Sequence, residues 1–562
     1  MVSLTHFRFP AAPFKIATPL WPPYPATLAS DFDPAGEFLI LFDLIIRNGT
    51  IIDGTRKARY RGDVGIRGDR IDTIGDLSQG QAKQVIDAAG RIVAPGFIDV
   101  HNHSDGWLLK QPNFKPKTVQ GFTAEVIMAD GISYAPVRHD NADEWIYYLR
   151  SLNAIRLDEY SGWESLTDYM ELLDGKTAQN VATHIPYANL RVNACGWGRN
   201  SVDDLQMRNI KHMVRQGMEA GAVGLSTGLD YVSQCFATTD ELVQACSAMA
   251  DKKGLYVTHI RYKLGNMPAI KEAVEIGKRA GVPVHISHLK APSQREAEEE
   301  LEYIDKVARH EVDFSFDVYP YQPGCTMLNY LLPYEIWDDG PTAVLPKLRD
   351  PEIRARFAAG LDAYRLDLDK IQIAWVYGKE NARHQGKLIT EYIQETGLAP
   401  ADALANLLIE ERLAVLLVFI EGDDPLVHPF LKHDLYMLGT DGIYFEDGVI
   451  HPRMHGSVAR ILGPFVRDLK LFSLEDAVHK MSGAAAKKFG MLGRGTLEKG
   501  NFADVVVFDA NTIADRATYS NPHQTSLGVD HVLVNGVPVV RGGAALDLGS
   551  KLPGRWVKYH RD

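Results

Sequence analysis

The sequence predicts an α/β protein organised around a (β/α)8 barrel, with a small β domain built from both chain ends and a subdomain inserted into the barrel. The central region alternates short apolar, strand-like runs with helical patterns. Such alternation is typical of parallel strands joined by crossover helices, and eight of these units close into a barrel. Both chain ends instead carry short alternating runs separated by pairs such as Asn-Gly and Asp-Gly, the pattern of β-hairpins.

Nine apolar runs are candidates for barrel strands, so at least one of them must lie outside an eight-stranded barrel. They are, in chain order, "GFIDVHNH", "TAEVIMADG", "NVATHIPYA", "AVGLSTGL", "LYVTHIR", "VPVHISHLK", "VDFSFDVYPY", "AVLLVFI" and "LYMLGTDG". Residues 203–220 and 266–280 are predicted to be helices, and the second has apolar residues spaced by three and four. The stretch from about 326 to 415 is too long for a loop, and we expect it to be an inserted subdomain.

The domain boundaries are predicted from the same patterns. Residues 1–36 are Pro-rich and lack the continuous apolar region of a signal peptide, so we expect an extended arm. Residues 37–93 and 495–545 are predicted to form the small β domain. Residues 94–494 are predicted to form the barrel with its insertion, and residues 546–562 a C-terminal tail.

Composition excludes several classes of partner. The chain has 562 residues and a formal net charge of -12, which argues against binding to nucleic acid or to an anionic membrane surface. No apolar run approaches the roughly 18 residues of a membrane span. The four cysteines are widely scattered, at positions 195, 235, 246 and 325. A reducing, cytoplasmic location is therefore predicted.

Metal-ligand residue types follow several of the predicted strands. His101 and His103 stand one residue apart directly after the run "FIDV", and residues i and i+2 of a strand point to the same side. The other runs are followed by further ligand types, namely Asp130, His259, His288 and Asp441. All would lie at the C-terminal mouth of the barrel, where such folds place their chemistry. Four imidazoles and two carboxylates can hold one or two divalent ions.

A single histidine or aspartate after a strand is usually a loop or capping residue, but six in this arrangement favour a metal site. His285 is three positions from His288, and we expect it to pack on the other face of the strand. Three further histidines lie in or near predicted loops, where they would be solvated or support the site rather than bind metal: His433, His451 and His455.

These motifs resemble those of the amidohydrolase superfamily and, within it, the N-acyl-D-amino-acid deacylases (D-aminoacylases), over roughly residues 40–545. The motifs that carry the resemblance are "VAPGFIDVHNHSD", "GISYAP", "GLSTGLDY", "THIR", "ISHLK", "DVYPY", "LGTDG", "HPRMHGSVARILG" and "GRGTLEKGNFADVVVFD". The resemblance implies a distorted TIM barrel, a β-sandwich made by both chain ends, and a lid-like insertion near the mouth.

The resemblance also implies roles for the six ligands. His259 and His288 would hold the tightly bound ion beside position 130. A second, weaker ion would lie among His101, His103 and Asp441, and Asp441 would also shuttle the proton. Zinc is the expected ion, with cobalt, manganese and nickel as alternatives.

Position 130 departs from the family pattern, since D-aminoacylases usually have a cysteine there. A carboxylate is a harder ligand than a thiolate, so the replacement bears on which ion binds. It leaves open whether one ion binds or two.

The resemblance further implies a group of substrate-binding residues. Lys290, Arg453 and Tyr319 match family positions that anchor the substrate carboxylate, whereas Cys325 replaces the usual serine with a weak donor. The alternatives are a structural salt bridge for Arg453 and a solvated position for Lys290. Tyr231 is expected either to contact substrate or to pack.

The predicted function is metal-dependent hydrolysis of N-acyl-D-amino acids, by attack of metal-bound hydroxide with Asp441 as general base and acid. The D preference comes from the resemblance alone, and the side chain and acyl group are left open. A cyclic-amide hydrolase is the main alternative, although no carboxylated lysine is expected at a strand end. A deaminase is disfavoured because no acid closely follows His259, and a non-catalytic scaffold would not keep six ligand types. The expected partner is a small-molecule amide, and a homo-oligomer is possible.

Overall fold

The computed structural model of the protein describes residues 41–364 and 366–561, so the predicted arm at residues 1–36 lies outside the described residues. The strands are β1 (Leu41–Ile51), β2 (Tyr60–Arg67), β3 (Arg70–Gly75), β4 (Gln81–Asp87), β5 (Ile92–Pro95), β6 (Phe97–Asp99), β7 (Phe122–Ile127), β8 (Asn180–Thr183), β9 (Ile185–Pro186), β10 (Gly224–Gly228), β11 (Leu255–His259), β12 (Val284–Ile286), β13 (Phe314–Val318), β14 (Gly324–Met327), β15 (Ile371–Val376), β16 (Val415–Phe419), β17 (Tyr436–Leu438), β18 (Val505–Phe508), β19 (Val529–Val534), β20 (Val537–Arg541) and β21 (Ala544–Ala545).

The α-helices are α1 (Asp105–Lys110), α2 (Lys115–Thr118), α3 (Ala142–Leu149), α4 (Leu166–Glu171), α5 (Tyr187–Cys195), α6 (Asp204–Ala220), α7 (Thr239–Cys246), α8 (Asn266–Ala280), α9 (Gln294–Tyr303), α10 (Arg309–Glu311), α11 (Val344–Lys347), α12 (Pro351–Tyr364), α13 (Ile389–Thr396), α14 (Pro400–Glu410), α15 (His428–Lys432), α16 (Arg453–Arg460), α17 (Leu474–Met481) and α18 (Gly483–Lys488). Across the described ranges, none of the helices combines the length and the apolar character needed to traverse a bilayer.

Parallel strands form a ring at the centre of the molecule. β6, β7 and β8 pair in that order, and β9 continues β8 after an interruption at His184. From β9 the sheet runs through β10, β11, β12 and β13 to β17. The ring closes where the Val100 amide donates to the carbonyl oxygen of Leu438 at 3.2 Å and Asn102 bridges Gly442. With β8 and β9 taken as one, this arrangement has the eight strand positions of a (β/α)8 barrel.

The helices between these strands have the predicted amphipathic character. The observed bounds of α6 and α8 confirm the helices predicted at residues 203–220 and 266–280. In α6 the carboxylate of Asp203 accepts from the amide of Gln206 at 2.8 Å, while Gly221 ends the helix in the left-handed conformation. The sequence therefore carries both the start and the stop signal of this helix.

The insertion occupies residues 319–435, between β13 and β17, and is longer than the predicted 326–415. β14, β16 and β15 form a separate antiparallel sheet within it. The run "AVLLVFI" contains β16, so its assignment as a candidate barrel strand was wrong. A continuous apolar run indicates a buried strand, but it does not tell which sheet the strand joins.

Both ends of the chain contribute to a second sheet of nine strands, in the order β21-β20-β19-β18-β5-β1-β2-β3 with β4 beside β1. Side chains from both ends share one apolar cluster, which includes Ile46, Val64 and Val507. The predicted boundaries at residues 37–93, 495–545 and 546–562 stay a prediction.

A buried polar group lies on the strand that precedes the site. Glu125, on β7, alternates with Ala124 and Val126, which pack in an apolar cluster, so Glu125 faces the other side of the strand. Its carboxylate accepts hydrogen bonds from Ser104 Oγ and Gln179 Nε2. Burial raises the pKa of Glu125 to about 7, against the opposing effect of nearby Lys117.

We expect Glu125→Gln to stabilise the protein more at pH 8 than at pH 5. In wild type, the unfolded carboxyl ionises near its ordinary pKa of 4.5 and the folded one at about 7. At pH values between these two pKa values, unfolding therefore releases a proton from Glu125. As a result, the free energy of unfolding of the wild type decreases as the pH rises through this range. From the lower to the upper end of this pH range, the free energy of unfolding of Glu125→Gln should rise by about 3 kcal/mol relative to that of wild type.

Urea unfolding of both proteins at the two pH values measures this difference. Glu171→Gln, at an exposed position on α4, is the control and should show no such dependence. Parallel pH profiles for wild type and Glu125→Gln would contradict the assignment.

Candidate metal centre and substrate cavity

The barrel topology brings all six predicted metal ligands to one end of the ring. His101 and His103 follow β6, Asp130 follows β7, His259 is the last residue of β11, and the other two, His288 and Asp441, follow β12 and β17. All of these positions are at the carboxyl ends of parallel strands. β6 ends at Asp99, so His101 and His103 lie just beyond this strand. The alternation of side chains along a strand, from which their common direction was predicted, therefore does not strictly apply to them.

Three of the six residues have strained backbones. Asp130, His288 and Asp441 have φ angles of 55°, 37° and 47°, in the left-handed region that non-glycine residues rarely adopt. Each such residue costs on the order of 1–3 kcal/mol and persists only where the surrounding structure fixes it. The strain therefore coincides with the predicted functional positions.

Asp130 lies at the centre of the group. Its Oδ1 is 3.5 Å from His101 Nε2, and its Oδ2 is 3.6 Å from His103 Nε2. The same Oδ2 is 3.9 Å from both His259 Nδ1 and His288 Nε2. One carboxylate thus faces all four imidazoles.

The remaining distances divide the site into two overlapping groups. His259 Nδ1 and His288 Nε2 are 3.0 Å apart on one side of Asp130. On the other side, Asp441 Oδ1 is 3.3 Å from His103 Nε2 and 3.7 Å from His101 Nε2. Two sets of potential ligand atoms lie within 4.8 Å of one another: His101, His103 and Asp441, and His101, Asp130 and His288.

The donor atoms fit a divalent metal. Among the described residues, several buried polar atoms of this group have no hydrogen-bond partner: His101 Nδ1 and Nε2, His103 Nδ1, His259 Nε2 and Asp130 Oδ1. Buried polar atoms without partners are costly, and a cation facing His101 Nε2 and Asp130 Oδ1 would satisfy both. Imidazole and carboxylate ligands suit zinc and the neighbouring transition metals.

The electrostatics of the group favour a cation. Burial alone would raise the pKa of Asp130, but the adjacent imidazoles, chiefly His101, hold it well below its usual value. Burial likewise opposes the charge of His101, while Asp130 and Asp317 raise its pKa well above the ordinary value. The carboxylates thus stabilise positive charge at this point, and a metal ion can take the place of protons.

Side chains outside the six ligands contact the outward ring nitrogens. Asp317 Oδ2 is 3.6 Å from His101 Nδ1, and Asp230 Oδ2 is 3.5 Å from His259 Nε2. Sequence reasoning missed both aspartates, although both stand inside quoted motifs, "DVYPY" and "GLSTGLDY". Asp230 follows β10, and this position was the available signal, whereas Asp317 lies inside β13, where no such signal marks it.

A cavity of about 470 Å3 opens beside this group and is lined by His103, Asp130, His259, His288 and Asp441. Four of the predicted substrate-binding residues also line it: Tyr231, Lys290, Tyr319 and Cys325. The other walls are largely apolar and come partly from the insertion, including Tyr330, Leu331, Leu366 and Phe419. A cavity of this size suits a small molecule.

Lys290 is the basic group of this cavity nearest to Tyr319. Its Nζ donates to Tyr319 Oη at 2.6 Å and to the carbonyl oxygen of Gln322 at 2.7 Å. Burial, reinforced by Arg453, lowers the pKa of Lys290 to about 7. Burial also raises the pKa of the Cys325 thiol to about 12, so this thiol is neutral and a weak donor.

Arg453 and Tyr231 make contacts that bear on their predicted roles. The buried guanidinium of Arg453 lies 2.9 Å from Asp441 Oδ2 and stacks over the Tyr319 ring. Among the described residues, those that line the cavity do not include Arg453. Tyr231 Oη is 3.0 Å from Thr326 Oγ1. The substrate-binding roles of both residues stay predictions.

Three of the other histidines discussed from the sequence are buried outside the group of six. His285 packs inside the protein, with its ring nitrogens bonded to Ser315 and Asp317. His451 and His455 are buried, so they are not solvated. His451 Nδ1 accepts from the Arg453 amide at 3.0 Å.

Comparison with known sequences gives the family. The family model described as "Amidohydrolase family" matches residues 84–540. The chain is 35% identical to the D-aminoacylase of Alcaligenes xylosoxydans xylosoxydans over 503 residues, which span 89% of this chain and 94% of the relative.

Comparison with solved structures agrees. The N-acyl-D-glutamate deacylase of Bordetella bronchiseptica, in complex with zinc and a phosphonate inhibitor, has a TM-score of 0.78 and 31% identity, over 92% of this chain and 99% of that one. A D-aminoacylase crystal structure has a TM-score of 0.76 and 32% identity, over 92% and 100%. The L-hydantoinase of Arthrobacter aurescens, at 17% identity and a TM-score of 0.56, shares the fold.

These neighbours confirm the predicted fold class, a distorted TIM barrel with a small β-sandwich domain, and the resemblance on which it partly rested. The sequence matches span almost the full length of the relatives. Residues 84–540, which match the family model, include every strand of the ring. The chain therefore belongs to the amidohydrolase family, among the N-acyl-D-amino-acid deacylases.

Proposed function

We propose that this protein is a metal-dependent amide hydrolase that cleaves N-acyl-D-amino acids into a carboxylic acid and a free D-amino acid. The observation that carries this proposal is the convergence of four imidazoles and two carboxylates beside a cavity lined by the half-buried Lys290. The D-aminoacylase and D-glutamate deacylase relatives supply the substrate class.

His259, His288 and Asp130 would hold one divalent ion, and His101, His103 and Asp441 would hold a second. Zinc is the expected ion, in keeping with the zinc-bound relative, with cobalt, manganese or nickel as alternatives. A bound ion of this kind lowers the pKa of water to about 7 and polarises a carbonyl oxygen. Whether this chain carries one ion or two stays a prediction.

Asp441 is the proposed proton shuttle. Its Oδ1 faces His103, and its Oδ2 contacts the guanidinium of Arg453 at 2.9 Å. Burial opposes ionisation, but Arg453 and the imidazoles hold the pKa of Asp441 well below its usual value. The carboxylate is therefore available to accept a proton from the attacking water. Since its conjugate acid is strong, it then gives the proton to the leaving amine, which cannot depart as an anion.

Lys290 is the proposed anchor of the substrate α-carboxylate. It lines the cavity together with Tyr319, and an ammonium group and a phenol offer donors suited to a carboxylate. Arg453 is proposed to assist from behind, since it contacts Asp441 and the Tyr319 ring. The carboxylate would thus fix the scissile amide relative to Asp441.

The cyclic-amide alternative shares only the fold with this protein. Its hydantoinase neighbours are 15–17% identical, and in this site the central position between the imidazoles is taken by the Asp130 carboxylate instead of a lysine. We retain cyclic amides as comparison substrates. A cytoplasmic location and a homo-oligomer stay predictions.

The first prediction concerns the reaction itself. Protein reconstituted with zinc, cobalt or manganese should release amine from N-acetyl-D-amino acids and not from the L enantiomers. A chelator should abolish this activity, and zinc should restore it. Dihydrouracil and hydantoin serve as controls for the cyclic-amide alternative. Hydrolysis of these two alone would overturn the proposed substrate class while leaving the metal site in place.

The second prediction concerns Asp441. Asp441→Asn keeps the size of the side chain but removes its basicity, so kcat should fall by about 100- to 10,000-fold. Circular dichroism should show a folded protein. Asp447→Asn, at an exposed position six residues further along, is the matched control and should keep wild-type kcat. Comparable kcat values for the two variants would rule out a proton-transfer role for Asp441.

The third prediction concerns Lys290. Lys290→Met should lower kcat/KM for N-acyl-D-amino acids by about 10- to 100-fold, the loss of one charged hydrogen bond. For an N-acyl amine that lacks the carboxylate, kcat/KM of Lys290→Met should be close to that of wild type, because neither protein can form the contact between residue 290 and a carboxylate. Lys278→Met changes an exposed lysine paired with Glu311 and is the control. An equal loss for both substrates would show that Lys290 does not recognise the carboxylate.

A further inference from the structure

We propose that Asp317 is a positioning residue that couples the two halves of the metal centre by holding both His101 and His288 toward Asp130. Asp317 lies on β13 and is fully buried. Among the described residues, those that line the cavity do not include Asp317. Asp317 therefore acts through the histidines and not on the substrate. The inference rests on the proposed metal site but not on the identity of the substrate.

The first contact orients the ring of His101. Asp317 Oδ2 is 3.6 Å from His101 Nδ1, while the opposite nitrogen, Nε2, is 3.5 Å from Asp130 Oδ1. A carboxylate beside one ring nitrogen favours a proton on that nitrogen and leaves the other free to bind metal. The separation is longer than a hydrogen bond, so Asp317 acts here through its negative charge, which favours the tautomer in which Nε2 of His101 is the ligand atom.

The second contact fixes the backbone of His288. Asp317 Oδ1 accepts from the His288 amide at 2.9 Å, and the next amide, of Leu289, donates to the Asp317 carbonyl oxygen at 2.8 Å. His288 has a left-handed backbone, a conformation that persists only where its surroundings determine it. These two bonds hold the turn from which the His288 ring reaches Asp130.

Asp317 is itself held in place by side chains below the site. His285 Nε2 lies 2.9 Å from Asp317 Oδ2, and its Nδ1 lies 2.8 Å from Ser315 Oγ. On the other side stands Gly439, where a methyl group would overlap Asp317 Oδ1 and lie 2.6 Å from Cβ of His101. The carboxylate therefore occupies a fitted position between β12, β13 and the end of β17.

Cobalt(II) titration of the metal-free full-length chain tests this inference without any substrate. Asp317→Asn keeps the shape but loses the charge and the acceptor that faces His101, so cobalt affinity should fall by about 10- to 100-fold. The visible absorption of bound cobalt should also shift, because the ligand geometry changes. Asp313→Asn is the matched control: it makes the same change four residues earlier, at an exposed aspartate that pairs with Lys488 and Arg561, so its affinity and spectrum should match wild type.

Gly439→Ala is a second variant that leaves the carboxylate intact and crowds both Asp317 Oδ1 and Cβ of His101. Its methyl group should displace Asp317 from His101 and give the same loss of affinity and the same spectral shift, which keeps the test decisive if Asp317→Asn does not fold. Wild-type cobalt affinity and spectrum in a folded Asp317→Asn or Gly439→Ala protein would overturn the inference alone. Failure of the wild-type chain to bind cobalt would overturn it together with the proposed function.

Discussion

The site depends on one buried carboxylate, that of Asp130, which faces four imidazoles at once. An ionised group with almost no solvent contact is costly to bury unless positive charge surrounds it. Against the effect of burial, Asp130 raises the pKa of His101 and of His103, and a bound metal would supply positive charge at the same point. The left-handed turns at Asp130, His288 and Asp441 are constraints of the same kind, since they place ligand atoms where straight strands would not.

The support of this cluster extends outward in successive contacts. Asp317 and Asp230 face the outward nitrogens of His101 and His259. Asp230 in turn accepts hydrogen bonds from Tyr330 and Tyr334 of the insertion, at 3.2 and 2.9 Å. The insertion thus contacts the predicted metal ligand His259 through Asp230.

The barrel and the six ligand positions could be predicted because each depends on local pattern. A strand-like run followed by histidine or aspartate is visible in the sequence, and barrel topology makes these strand ends adjacent. The placement of "AVLLVFI" in the sheet of the insertion instead of the ring could not be predicted, since membership of a sheet is a long-range property. Asp317 escaped notice because it lies within a strand rather than after it, and its role depends on His285 and His288. The contact between Arg453 and Asp441 likewise joins residues whose shared position is set by tertiary packing.

The insertion leaves and re-enters the barrel at neighbouring strands, because β13 and β17 are paired with Phe316 opposite Tyr436. The two strands are parallel, so the carboxyl end of β13 and the amino end of β17 lie at opposite ends of the ring, and any segment between them must cross over. The apolar cavity wall that the insertion supplies is a module carried on this crossover. Relatives with different substrates could have diverged by rebuilding this module while the ring and its ligands stayed unchanged. Exchange of the whole segment between relatives is accordingly a natural route to new specificity in this architecture.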